Sequence, residues 1–264
     1  MKLNKSWSPA VLIVLSGVFN IINPVSAQIA TVWQQVTNLP VANWESVAIS
    51  ADGNTRVAAP DNGYVYISTN SGVAWIQTSA QVVTHFAGRD IAVSTNGTVL
   101  GVLTTGGVDI SVNSGATWTL RTLPKIYLSC IACSANGTKM AVCAVNGPIY
   151  ISTNSGTNWT ADGPSSTWGD IVSSADGTKL VAVDSGTEGA VFQIYTSTDS
   201  GLDWEANATA NTWQGVASSA DGTKLVAGQY MDQNNTYQGY LGSLYTSTDS
   251  GTNWTPVPDY SAPA

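Results

Sequence analysis

Ser247-Thr248-Asp249-Ser250-Gly251-Thr252-Asn253-Trp254 reads STDSGTNW, and the same eight-residue pattern stands four times earlier. It is STNSGVAW at 68–75, SVNSGATW at 111–118, STNSGTNW at 152–159 and STDSGLDW at 197–204. A second motif precedes each box: SADGNTRVAA from Ser50, STNGTVLGVL from Ser94, SANGTKMAVC from Ser134, SADGTKLVAV from Ser174 and SADGTKLVAG from Ser219. The box tryptophans fall at 75, 118, 159, 204 and 254, a period of 41 to 50 residues. Self-similarity at such a period is the mark of a repeat architecture.

One repeat parses into four strands. In the fourth, WGDIVSS from Trp168 is a short apolar strand and ADGT is a hairpin turn. KLVAV from Lys179 is the second strand, FQIYTST from Phe192 the third, and Trp204 opens the fourth after the turn DSGLD. The chain after residue 27 has no helical periodicity. Four short strands every forty-odd residues predict an all-β protein, a β-propeller of four-stranded blades. Five repeats predict five blades. Trp33 begins WQQVTNLPVANW, which matches a fourth strand and linker with no box before it. That leaves three ways to end the array: an N-terminal strand added to a blade edge, a sixth partial blade, or an incomplete ring that pairs with another molecule.

Within the box, Asn70, Asn113, Asn154, Asp199 and Asp249 are the acceptors for turn N–H groups. Gly72, Gly115, Gly156, Gly201 and Gly251 supply a backbone angle other residues resist. Trp75, Trp118, Trp159, Trp204 and Trp254 bring a large apolar face to bury. An amide and a carboxylate both serve as acceptors, whereas a metal or a catalytic step would discriminate by charge. The Asn/Asp mixture therefore favours a structural role. The pattern Ser-x-Asp-x-Gly-x-Thr-Trp resembles the Asp-box, or BNR repeat, of sialidases, xyloglucanases, sortilin-type receptors and photosystem II assembly factors, all of them propellers. The resemblance covers nearly all of the chain after residue 27. It implies the propeller fold and leaves the activity open, because these families share the box and not their chemistry.

Lys2 and Lys5, an apolar run from Val11 to about Ile22, and Pro24-Val25-Ser26-Ala27 read as a signal peptide over 1–27, with a single propeller domain over 28–264. The protein is expected to be secreted or periplasmic, with no membrane span after cleavage. Beyond Ala27 seven basic residues face seventeen acidic ones, a net charge of −10, which repels phosphate backbones and excludes nucleic acid as the expected partner. The three cysteines, at 130, 133 and 143, are too few for a disulfide scaffold. Across a tight hairpin at Asn136-Gly137, Cys130 and Cys143 lie opposite each other. Two readings stand: small buried side chains, or one bridge.

Strands alternating in direction put both turn motifs on one face. The second-to-third-strand loops and the blade-to-blade linkers share the other, where Asp-box enzymes hold their active sites. Six residues before each motif serine stand Trp44, Gly88, Leu128, Trp168 and Trp213, with Phe86 and Tyr127 just upstream of the two non-aromatic ones. These aromatics ring one mouth of the channel. They serve either as stacking platforms for sugars or as wedges between blades. The longest loops of this face carry Asp184 and Glu188, and then Tyr230, Asp232, Asn234, Asn235, Tyr237 and Tyr240. Tyr230, Asp232 and Tyr237 are the candidate ligand contacts from that second stretch.

A glycosidase needs two carboxylates across the scissile bond. Glu45, Asp90, Asp170, Glu188 and Asp232 are the candidates near that mouth, Asp90 and Asp170 holding equivalent places. A sialidase is not expected: the only arginines are Arg56, Arg89 and Arg121, and none lies in the Arg-Ile-Pro motif of that family. His85 is the sole histidine, and there is no G-x-S-x-G elbow, P-loop, dinucleotide fingerprint or metal-ligand cluster. No cofactor or metal is implied. The expected function is a non-catalytic binding module that takes glycans on the face opposite the boxes. The alternatives are a glycoside hydrolase-like enzyme with channel-mouth carboxylates and a protein-interaction scaffold.

Overall fold

The computed structural model describes residues 35–82, 91–125, 127–186, 193–208, 213–229 and 243–258. They form five four-stranded sheets with no helix among the described residues. Blade 1 is β1 (Trp44–Ile49), β2 (Arg56–Pro60), β3 (Gly63–Ser68) and β4 (Ile76–Val82). Blade 2 is β5 (Ile91–Val93), β6 (Leu100–Thr104), β7 (Gly107–Ser111) and β8 (Thr119–Arg121). Blade 3 is β9 (Leu128–Cys133), β10 (Met140–Ala144), β11 (Gly147–Ser152) and β12 (Thr160–Ser166). Blade 4 is β13 (Trp168–Ser173), β14 (Leu180–Asp184), β15 (Gln193–Ser197) and β16 (Glu205–Ala208). Blade 5 is β17 (Trp213–Ser218), β18 (Leu225–Gln229), β19 (Leu244–Ser247) and β20 (Thr255–Pro256). Each sheet is an antiparallel meander in chain order, so all-β propeller architecture and five blades are both observed. The strands expected in the fourth repeat are found within two residues of their expected starts. Residues 1–34, with the signal-peptide reading and Trp33, lie outside the described residues, and 35–43 carry no strand.

The turns fold as local hydrogen-bond units. In the hairpin motif, Ser50 Oγ donates to Asp52 Oδ1 (2.6 Å), which accepts the Asn54 N–H, while Ser50 Oγ accepts the Thr55 N–H. The box works alike: Ser152 Oγ donates to Asn154 Oδ1 and accepts the Gly156 N–H (2.9 Å), and Asn154 Oδ1 accepts the Asn158 N–H (2.9 Å). Asp249 makes the same bond to the Asn253 N–H at 3.0 Å, so amide and carboxylate are interchangeable as acceptors. The box also holds two successive residues at positive φ, the glycine and the serine before it (Ser155 at 54°, Gly156 at 74°). That pair of left-handed residues closes the tight turn between antiparallel strands.

Burial lies between blades. Four apolar clusters fill the four interfaces of consecutive blades, built on Val57 and Leu100, Val108 and Met140, Ile149 and Leu180, and Val183 and Leu225. The box tryptophans Trp118, Trp159, Trp204 and Trp254 each pack on the cluster that joins their blade to the preceding one. Each donates its indole N–H to its own box glycine carbonyl at 2.9 to 3.0 Å. Trp75, with no blade before it, belongs to no cluster, and its indole N–H has no partner. The middle strands β10 and β14, covered on both faces, are buried throughout. Among the described residues no cluster joins blade 5 to blade 1.

The cysteines follow the packing reading. Cys130 and Cys143 stand opposite each other in the β9–β10 register, yet both are buried free thiols. Burial and the facing Cys130 push the Cys143 thiol up, and burial pushes Cys133 up to about 12.

Candidate functional site

The two ends of each blade differ in chemistry. At the turn end, the box serine N–H of every blade donates to the hairpin motif of the same blade, as Ser155 does to the Thr138 carbonyl (2.8 Å). Both turn motifs therefore share one face, as expected. The motifs also link blades. Ala51 N–H donates to the Thr95 carbonyl, Thr95 to Ala135, Ala135 to Ala175 and Ala175 to Ala220, at 2.9, 2.7, 2.7 and 2.6 Å. The carboxylates of this face are consumed as acceptors. Hydrogen bonds from Ser174 and Thr178 hold Asp176 down near about 2, and bonds from Asn253 and Ser247 do the same for Asp249. Asp221 is lowered as well, first by Ser219. A carboxylate held anionic by local N–H and O–H donors is no general acid.

At the opposite end, the residue before an inner strand meets the second-to-third-strand loop of its own blade. Asp61, Val145 and Ser185 donate N–H to the carbonyls of Asn43, Tyr127 and Thr167 at 2.8 Å each. This is the face of the candidate site. Its inner strands are bulged near their first residue in blades 1, 3, 4 and 5. A bulge disrupts the ladder locally at that point.

The predicted residues separate into three groups. Trp168 and Trp213 are packing residues, at 3% and 0% exposed. Trp168 donates its indole N–H to the Gly147 carbonyl of the preceding blade (2.9 Å) and meets Tyr195 edge-on. Trp213 lies against Tyr245 and Trp254 in the interface of blades 4 and 5, its indole N–H unpartnered. Neither offers a ring face to a sugar, because both indoles are buried in blade interfaces. Trp44 and Tyr127 form the second group. Trp44, in the first blade, is half-buried and meets Tyr66 at 5.8 Å between ring centroids, and Tyr127 is 54% exposed. Phe86, Tyr230, Asp232 and Tyr237, the third group, lie outside the described residues.

Of the candidate carboxylates, Glu45 is exposed. Asp170 is buried; its Oδ1 accepts the Ile171 N–H and its Oδ2 the Val216 N–H of the next blade, both at 2.8 Å. It is a strut between blades. Asp184 is buried too and accepts the Gly186 N–H. Asp90, Glu188 and Asp232 lie outside the described residues. No group of three or more histidine, cysteine or carboxylate side chains fit to hold a metal occurs among the described residues.

Sequence reasoning missed the tyrosines. Tyr66, Tyr195 and Tyr245, central in the third strand, pair edge-on with Trp44, Trp168 and Trp213 of the same blade. In the aligned repeats that position is tyrosine in blades 1, 3, 4 and 5 and Asp109 in blade 2. Burial raises that carboxyl above the ordinary range.

No family model matches the chain, and no curated protein matches it. Solved structures do. A GH74 enzyme of Niastella koreensis is 18% identical at a TM-score of 0.67, over 81% of this chain and 38% of that one. The GH74 xyloglucanase of Xanthomonas campestris is 15% identical at a TM-score of 0.63, over 82% and 38%. YCF48 of Cyanidioschyzon merolae is 15% identical at a TM-score of 0.51, over 86% and 88%. The chain thus spans well under half the length of either GH74 protein, and these likenesses show the propeller fold alone.

Proposed function

We propose that this protein is a secreted, non-catalytic propeller of the Asp-box type that binds a glycan on the face opposite the boxes. The observation that carries the non-catalytic half is Asp170. Its equivalence to Asp90 made the two the natural acid pair of a channel-mouth hydrolase. A carboxylate that is buried and accepts a backbone N–H on each oxygen, one of them from the next blade, is anchored between blades and withdrawn from a scissile bond. Trp44, Tyr127 and the sequence-borne Tyr230, Asp232 and Tyr237 are the ligand contacts of this reading. Trp168 and Trp213 keep the blades together. The burial of those two tryptophans favours a second reading, a protein-interaction scaffold, because it removes two of the sugar platforms.

One experiment separates the readings. The full chain is screened on a glycan array, and every hit is assayed for released reducing sugar. Binding without turnover, weakened at least tenfold by Tyr127→Ala or Tyr237→Ala, is the expected result. Turnover of a bound glycan overturns the non-catalytic assignment. An array with no hit overturns glycan binding and leaves the scaffold.

A further inference from the structure

The four internal blade interfaces follow one pattern, and the two ends of the row carry its two unused halves. On the side facing the next blade, Val65, Val108, Ile149 and Ile194 occupy one third-strand position and are fully buried. Leu244, the same position in blade 5, is 52% exposed. Beside it Val226, equivalent to the buried Val57 and Val181, is 37% exposed. On the side facing the preceding blade, Ile91, Ile131, Ile171 and Val216 are buried at one inner-strand position. Val47, the same position in blade 1, is 54% exposed.

The turn contacts repeat this complementarity. The hairpin glycines Gly97, Gly137, Gly177 and Gly222 each lie close beneath one side chain of the preceding blade: Thr55, Val99, Lys139 and Lys179. Gly53 of blade 1 has nothing from another blade above it, and Lys224 of blade 5, the next side chain in that series, is exposed. Lys179 donates its ammonium to the Asp221 carbonyl of the next blade (3.1 Å). Lys224 and the exposed Asp52 of blade 1 are the matching cation and anion left at the two ends. The box glycines Gly115, Gly156, Gly201 and Gly251 meet Ile67, Ile110, Ile151 and Thr196 of the blade before. At the ends this position leaves the exposed Thr246 hydroxyl and Gly72, over which Arg56 lies, a donor for that oxygen. The interblade hydrogen-bond chain likewise stops with the Ala220 N–H at one end and the Ala51 carbonyl at the other.

We infer that the far face of blade 5 docks on the near face of blade 1 of a second copy of this chain, continuing the row across molecules. The apolar positions and the backbone donor and acceptor are those of an interface this chain already builds four times, and a lysine over the aspartate turn of the next blade recurs in the last two of the four. The two faces differ, so the association is head-to-tail and grows into a ring or a chain of copies. It does not form a two-fold pair through these surfaces.

Sedimentation velocity on the full chain, from about 1 to 200 μM, tests this in the range where such interfaces associate. The expected result is a mass that rises with concentration, and a monomer for Leu244→Glu and for Val47→Glu taken singly. Both side chains are exposed, so both variants keep the wild-type far-ultraviolet spectrum and melting point. Mixed in equal amounts they form a dimer and stop, because each supplies the one intact face the other lacks. Leu202→Glu, an exposed turn position in blade 4, associates as wild type. A wild-type chain that stays monomeric throughout, or association untouched by either face variant, overturns the inference. So does a mixture of the two variants that stays monomeric.

Discussion

Ser152 carries three hydrogen bonds from one oxygen and is buried, so its hydroxyl matters more than its size. It donates to Asn154 Oδ1 and accepts from the Gly156 and Asn154 N–H groups. Ser152→Ala strands the Gly156 N–H, and the expected loss in urea-unfolding free energy is about 1–3 kcal/mol. Asp176 adds a pH dependence of known sign. Its folded carboxyl is held near about 2 against an ordinary 3.8. A depressed folded value means the stability it adds is complete above the ordinary value and is lost as pH falls toward about 2. The thermal midpoint of the wild type is therefore expected to drop across pH 4 to 2. In Asp176→Asn that drop is shallower, because the amide oxygen accepts the same bonds without titrating. The serine at positive φ before each box glycine was open to discovery in the sequence, since it is the same residue in all five boxes. It escaped notice because serine is not a residue associated with left-handed backbone.

At the scale of the element, strand boundaries were legible because each is set by a turn whose chemistry is local. Ser-x-Asp/Asn-Gly and the box fix the first and the last hairpin of every blade within a few residues of chain. What the inner strand does with its first residue was not legible. The same bulge stands at Trp44, Trp168 and Trp213, yet only the last two are buried between blades, because each of them has a blade before it to pack on. Asp170 escaped for a related reason: its second partner, the Val216 N–H, lies 46 residues away. The contact between elements can be measured at a glycine. Gly137 sits at φ 72°, and an added Cβ would come within 2.8 Å of Val99 Cγ1 on the preceding blade. Gly137→Ala is expected to cost about 3 kcal/mol, from left-handed strain plus overpacking. Gly53, at φ 74° with only Ile49 nearby, suffers the strain alone, about 1 kcal/mol for Gly53→Ala in dilute monomer. Paired urea titrations give the difference, which is the tightness of one blade interface.

Across the whole molecule, blade number followed from counting motifs, whereas how the array ends stayed open among three readings. The angle between neighbouring blades is a sum of many side-chain volumes, and no single residue announces it. Each blade touches only its neighbours, so stability accumulates interface by interface. The acceptors in the turns are spread unevenly along that row. Blades 2 and 3 use amides in both turns, Asn96 and Asn113, Asn136 and Asn154, whereas blades 4 and 5 use carboxylates in both, Asp176 and Asp199, Asp221 and Asp249. Protons thus have nothing to discharge in the turns of the middle of the protein and four sites to discharge at its C-terminal end. Acid is therefore expected to act unevenly on this molecule, loosening both turns of the last two blades and the Asp52 turn of the first while the second and third keep every turn bond they hold at neutral pH.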